Sequence, residues 1–154
     1  MKQILIVPSP VGPLTLTQED QALTGLHFGE HPQQGAEGST PLLEEAARQL
    51  EEYFAGQRKE FSLPLAPKGT EFQLRVWQAL LQIPYGETRS YGELAAMVGN
   101  PKACRAVGGA NHRNPLSILI PCHRVVGTGG SLTGYAGGLA IKEFLLKLES
   151  EARP

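Results

Sequence analysis

The residues best equipped for chemistry fall in one short run, Ile120-Pro121-Cys122-His123-Arg124-Val125-Val126. A thiol is a weak nucleophile until it ionises, and an adjacent imidazole or cation favours the thiolate. A lone Cys-His pair is more often a buried cysteine with a chance neighbour. Three features count against that here: Pro121 restricts the chain, Arg124 adds positive charge, and the segment that follows leaves room for a ligand. That segment, Gly127 to Gly138, holds six glycines. The remaining cysteine is Cys104, and two thiols exclude both a disulfide scaffold and a four-cysteine zinc site. A Cys-His hydrolase is disfavoured, because on a continuing strand His123 and Cys122 face opposite ways.

Charge singles out the same half of the chain. The formal net charge is −1, yet residues 1–70 hold five Lys/Arg against nine Asp/Glu. No acidic residue lies between Glu93 and Glu143, a stretch that carries Lys102, Arg105, Arg113, Arg124 and Lys142. An acidic front and a basic back fit a phosphate-rich partner. A Gly-rich segment poor in all charges would give the same count, so charge alone does not choose.

The elements that must position these residues can be read from pattern. The chain has 154 residues, 41% hydrophobic and 19% charged, which suits one large or two small globular domains. No apolar run approaches the roughly eighteen residues of a membrane span, and the N-terminal run ends at Pro8, too short for a signal peptide. A cytoplasmic protein with no membrane partner is expected. Residues 2–7, 12–17 and 22–28 read as strands of an antiparallel meander, and 29–40 as a loop. Thr40 and Pro41 open a helix with Leu42, Ala46, Leu50 and Phe54 on one stripe, ending at Gly56. A strand at 59–63 and a linker at 63–69 follow.

In the second half Thr70 to Gln73 is a capping box, opening a helix with Phe72, Val76, Leu80 and Ile83 apolar and Trp77 at core spacing. Ser90 to Glu93 is another, opening a short helix to about Val98. Asn100 and Pro101 then read as the start of a helix burying Ala103, Ala106, Val107 and Ala110, with Lys102, Arg105 and Gly109 on the other face. Two helices about a Gly-containing turn, the second with a basic outer face, form a helix-turn-helix pattern. Residues 116–121 read as a buried strand, and a last helix from Leu139 buries Ile141, Phe144, Leu145 and Leu148. Glu149, near the C-terminal end of that helix, is disfavoured by the helix dipole and calls for a partner. Read singly, Tyr91 is a packed aromatic, Arg105 an exposed helical arginine, and His27, His31 and His112 surface histidines. The fold class is α+β: an N-terminal α/β domain (1–65), then a mainly helical domain (70–154) with the helix-turn-helix.

Pro121-Cys122-His123-Arg124-Val125 resembles the active-site signature of the O6-alkylguanine-DNA alkyltransferase family. Ser90-Tyr91-Gly92-Glu93-Leu94-Ala95, Arg105-Ala106-Val107-Gly108-Gly109-Ala110, Asn114-Pro115, Gly134-Tyr135-Ala136-Gly137-Gly138 and Lys142-Glu143 to Glu149 are similar to the family's other blocks, in order and spacing. The resemblance runs roughly from residue 70 to 150, about half the chain, and the N-terminal half matches only in kind. Asn114 to Ile118 and Gly134 to Ala136 are more similar to bacterial members than to vertebrate ones.

The resemblance implies repair by direct reversal. The alkyl group of O6-alkylguanine, and of O4-alkylthymine, would pass irreversibly to Cys122, one molecule per repair. The helix-turn-helix would lie in the minor groove of double-stranded DNA, with the damaged base flipped out, since its oxygen is unreachable in the stack. Arg105 would fill the gap, and Tyr91 would help rotate the base and donate a hydrogen bond to it. Asn114, His123 through a water, and Glu149 would activate the thiol. DNA contacts would come from Tyr91, Lys102, Arg105, Ala106 and Arg124, and the base pocket from Tyr91, Val125, Tyr135 and Ala136. No cofactor is implied, and the protein would act as a monomer. Some members carry an N-terminal zinc site; no cysteine precedes Cys104 here, so none is expected. Cys104 stands where a small residue such as Ala is common. Competing readings are a binder of alkylated DNA that transfers nothing and a helix-turn-helix regulator, neither of which needs Cys122.

Overall fold

The computed structural model describes residues 2–151. The chain divides into two compact units, Met1–Lys68 and Gly69–Pro154. In the first, β1 (Lys2–Val7), β2 (Leu14–Glu19) and β3 (Ala22–Phe28) form the antiparallel meander, with Leu5 opposite Leu16 and Leu16 opposite Leu26. Strand β2 starts two residues later than its pattern suggests. Gly12, at φ 96°, closes a turn in which its amide donates to Ser9 O at 3.0 Å. A two-residue strand, β4 (Ala36–Glu37), pairs in parallel with β1 inside the segment expected to be loop.

Helix α1 (Pro41–Phe54) begins as expected, with Thr40 Oγ1 accepting the Leu43 amide at 3.0 Å. Its buried face is Leu43, Ala46, Gln49, Leu50 and Tyr53, rotated from the expected stripe. Tyr53 packs on Phe61, ring centroids 5.3 Å apart. The expected strand at 59–63 does not form. Gln49 Oε1 takes the Ser62 amide at 3.0 Å, so that backbone is satisfied by a helix side chain, and only Leu65 bridges to Leu23.

The second unit contains α2 (Glu71–Leu80), α3 (Tyr91–Met97), α4 (Cys104–His112) and α5 (Leu139–Glu151), with a short parallel pair, β5 (Arg89–Ser90) and β6 (Val125–Val126). Both capping boxes are complete. Trp77, 2% exposed, donates its indole N–H to Ala110 O of α4 at 2.9 Å. Gly69 lies so close to that ring that a Cβ there would sit 2.5 Å from it.

Helix α4 starts at Cys104 rather than Asn100. The Asn100 carbonyl is spent on a turn to the Ala103 amide, 3.0 Å, and no side chain caps the helix. Its inner face is Val107, Ala110 and Asn111. Ala103 is half-buried and Ala106 exposed, so Ala106 joins Lys102, Arg105 and Gly109 on the open face.

Residues 116–121 are buried, as expected, but not as a strand. Ile118 has φ 72°, a left-handed conformation that is strained for a β-branched residue, and the Ile120 amide returns to Leu116 O at 2.8 Å. Asn114 staples this turn: its Oδ1 accepts the Leu116 amide at 3.0 Å and its Nδ2 donates to Ile120 O at 2.8 Å. Helix α5 buries Lys142, Leu145 and Glu149 instead of the expected stripe, with Ile141 and Leu148 half-buried and Phe144 38% exposed. Two charged residues face inward there because their partners lie inside. No helix among the described residues is long and apolar enough to cross a membrane.

Candidate active site

Cys122 to Arg124 form a single 3₁₀ turn rather than the end of a strand. Cys122 is 4% exposed, and its amide donates to Ile120 O at 2.7 Å. Asn111 Nδ2 lies 3.5 Å from the Cys122 carbonyl. Burial pushes the Cys122 thiol up from its ordinary value; hydrogen bonds from Asn114 and Ser117 and the Lys142 charge oppose this without reversing it. The neighbouring imidazole and cation do not yield a thiol ionised at rest.

Behind it lies a buried charge cluster. His123, fully buried, places Nε2 2.7 Å from Glu149 Oε2. Arg124 donates from Nε to Glu149 Oε1 at 2.8 Å, from Nη2 to Oε2 at 3.0 Å and from Nη1 to Ile83 O at 2.7 Å. The DNA contact expected of Arg124 is therefore corrected: the residue is 7% exposed, and its guanidinium is committed to the interior. Lys142, another cation of the acid-free stretch, is fully buried, with Nζ donating to Val125 O at 2.6 Å. The exposed cations of the acid-free stretch are Lys102, Arg105 and Arg113.

Burial alone would raise Glu149, but hydrogen bonds and charge from His123 and Arg124 hold it at about 2. Glu149 thus has the partner its position in the helix calls for. Burial lowers His123 below its ordinary value, against the pull of Glu149. An ionised carboxylate can only accept, so His123 Nε2 carries the ring proton and Nδ1 presents a lone pair. That Nδ1 is buried and has no hydrogen-bond partner among the described residues. The cluster is a neutral imidazole held as a base.

A separate cavity of about 540 Å³ is bordered by Tyr91, Cys104, Arg105, Gly108, His112, Thr133 and Gly134. Tyr91 is the first residue of α3, set by the Ser90 cap, and its ring lies over Gly108, whose Cβ position is 3.6 Å from Cδ1. Its hydroxyl is 2.6 Å from Thr133 Oγ1. The exposed Arg105, Lys102, Ala106 and Cys104 lie on or beside α4. Val125 and Tyr135 are buried and Ala136 is exposed. Burial, with the charge of Cys122, pushes the Tyr135 phenol well above its ordinary value. Sequence reasoning assigned no role to Ser117, Thr133 or Lys142. Only Lys142 had a visible signal: it stands seven residues before Glu149, which puts these two charges on one face of the helix.

Two family models match the chain. The DNA binding domain of 6-O-methylguanine DNA methyltransferase covers residues 71–151, and its ribonuclease-like domain covers residues 4–67. A protein of Methanosarcina acetivorans named methylated-DNA--protein-cysteine methyltransferase is 56% identical over 150 residues, 94% of this chain and 96% of the relative. The constitutive methylated-DNA--protein-cysteine methyltransferase of Bacillus subtilis is 53% identical over 150 residues, 92% of this chain and 91% of the relative. The crystal structure of Mycobacterium tuberculosis OGT in complex with DNA superposes with TM-score 0.90 at 49% identity, covering 99% of this chain and 95% of that one.

Proposed function

The chain belongs to the 6-O-methylguanine DNA methyltransferase family, and from that premise we propose that Cys122 is the residue that accepts the alkyl group from DNA. The protein is a methylated-DNA--protein-cysteine methyltransferase that repairs DNA by direct reversal. The observation that carries the assignment of Cys122 is its place beside a neutral imidazole, His123, locked to an ionised Glu149.

The step runs as follows. The thiol proton passes to His123 Nδ1 through a water, and the resulting imidazolium is stabilised by Glu149 and the ion pair behind it. The Cys122 sulfur attacks the alkyl carbon of O6-alkylguanine in line. A sulfur–carbon bond forms, the carbon–O6 bond breaks, and its electron pair stays with the purine, where Tyr91 donates a hydrogen bond. The thioether is a poor leaving group, so the protein is consumed. O4-alkylthymine presents the same carbon–oxygen chemistry and is a second substrate. Asn114 holds the 116–120 turn that leads into Cys122, which supports its place in the network.

Exposure of Lys102, Arg105 and Ala106 supports α4 as the face that enters the minor groove, with Arg105 filling the gap left by the flipped base. Val125, Tyr135 and Ala136 complete the base pocket with Tyr91. The same reading makes the protein a cytoplasmic monomer that needs no cofactor. The test is intact mass after incubation with a duplex containing O6-methylguanine, followed by a peptide map. A gain of one methyl on the Cys122 peptide is expected. No mass gain with tight binding would make the protein a binder of damaged DNA, and methyl on Cys104 would move the acceptor.

A further inference from the structure

Thr133 stands at the edge of the cavity, and the reaction described above gives it no part. Its Oγ1 lies 2.6 Å from the Tyr91 hydroxyl. Lys142 Nζ reaches the same Oγ1 at 3.5 Å and the Thr133 carbonyl at 3.3 Å, while holding Val125 O at 2.6 Å. An ammonium has three protons and no lone pair, so it can only donate. Thr133 Oγ1 therefore accepts from Lys142, which leaves its single proton available to donate to Tyr91. Donated that way, the bond leaves the phenol's own proton free to turn into the cavity. With the bond reversed, the Tyr91 proton would be spent on Thr133. The ring resting on Gly108 keeps the phenol oxygen within reach of the cavity.

We infer that Thr133 is a positioning residue for Tyr91: Lys142 orients the Thr133 hydroxyl, and that hydroxyl presents the Tyr91 proton to the flipped base. The inference rests on the reading of Tyr91 as the donor to the base. When the carbon–O6 bond breaks, negative charge grows on the purine, and a donor already aimed there is worth most at that moment. A chain of donors ending in a buried cation polarises each bond toward the base. No covalent bond to Thr133 or Lys142 is made or broken; the Tyr91 proton is shared with, or passed to, the purine.

The test is a double-mutant cycle read in single-turnover transfer from an O6-methylguanine duplex, with duplex affinity measured separately. Thr133→Val, which keeps shape and loses the hydroxyl, should slow transfer at saturating DNA by about tenfold with affinity unchanged. Thr133→Ser should restore the rate to within about twofold of the parent. In a Tyr91→Phe background Thr133→Val should add nothing further. Unchanged transfer in Thr133→Val would overturn the inference. Faster transfer would also overturn it, by showing that the contact is a latch that must open. Equal slowing with and without the Tyr91 hydroxyl would place the role of Thr133 elsewhere. Absence of any methyl gain by the parent protein would sink the acceptor reading itself, whereas normal transfer by both parent and Thr133→Val sinks only the part given to Thr133.

Discussion

Burial of Cys122 sets the problem its neighbours must solve. A free thiol near pKa 8.5 is about 3% thiolate at pH 7. Lowering that pKa to about 7 would raise the thiolate roughly fifteen-fold and cut its nucleophilicity roughly five-fold, a net gain of about three-fold. The site takes the other course. The thiol is pushed up, so the sulfur is intrinsically more nucleophilic when its proton leaves, and in the proposed reaction His123 takes that proton. Glu149→Gln should therefore transfer slowly at pH 7 and stay slow at pH 9, with DNA affinity unchanged. Single-turnover rates across that range are the check, and full recovery at pH 9 would reduce the cluster to tuning the thiol pKa. Cys122→Ala should bind alkylated duplex and transfer nothing, whereas Cys104→Ser, altered only at an exposed thiol, should keep nearly full transfer.

At the scale of elements, the division of labour on α4 yields two distinguishable outcomes. Arg105→Ala should slow repair of duplex more than reaction with a free alkylated-guanine base, because only the duplex needs its stack filled. Equal losses on both substrates would remove the intercalating role. Lys102→Ala should weaken binding generally and lower its salt slope by about one. Helix α3 offers a third: Ser90→Ala removes a complete capping box, should cost about 1 kcal/mol by urea denaturation, and loosens the first residue of the helix, Tyr91. These elements were legible because their signals are local. Thr40, the two capping boxes and the turn residues that bound the strands each act within a few residues. What was not legible depends on distant partners. The 116–121 turn exists because Asn114 staples both of its ends, and α5 faces inward with Lys142 and Glu149 because His123, Arg124 and Val125 O await them. The resemblance around Cys122 pointed to His123 and Glu149, which the fold brings together, but it placed Arg124 on DNA, whereas the structure commits its guanidinium to Glu149.

For the whole molecule, the buried cluster ties stability to pH. Glu149 is held at about 2 against an ordinary value of 4.5, so its contribution is complete above pH 4.5 and is lost as pH falls toward 2. His123 is lowered from 6.5, so the unfolded chain binds that proton more readily and stability begins to fall below pH 6.5. Urea midpoints should decline from pH 7 to pH 5 through His123 and more steeply below pH 4.5 through Glu149. A midpoint flat from pH 7 to pH 3 would contradict the burial of both groups. The proposed domains, 1–65 and 70–154, add a further expectation: each should show its own unfolding transition where denaturant affects them unequally.

Trp77 makes that expectation readable without any label. It is the chain's one tryptophan, and it is enclosed between Gly69 and the α4 carbonyl of Ala110. Its fluorescence is thus an optical report on the seat of α4 on α2. A blue-shifted emission that moves to the red as α4 leaves its seat would time the loss of that helix. Far-ultraviolet dichroism sees the meander as well, so a gap between the two curves would date the meander's own unfolding. The same indole, facing away from the open side of α4, should keep its emission when DNA binds and the helix stays seated. Any change in colour on binding would then be a measure of how far α4 shifts on α2 when DNA binds.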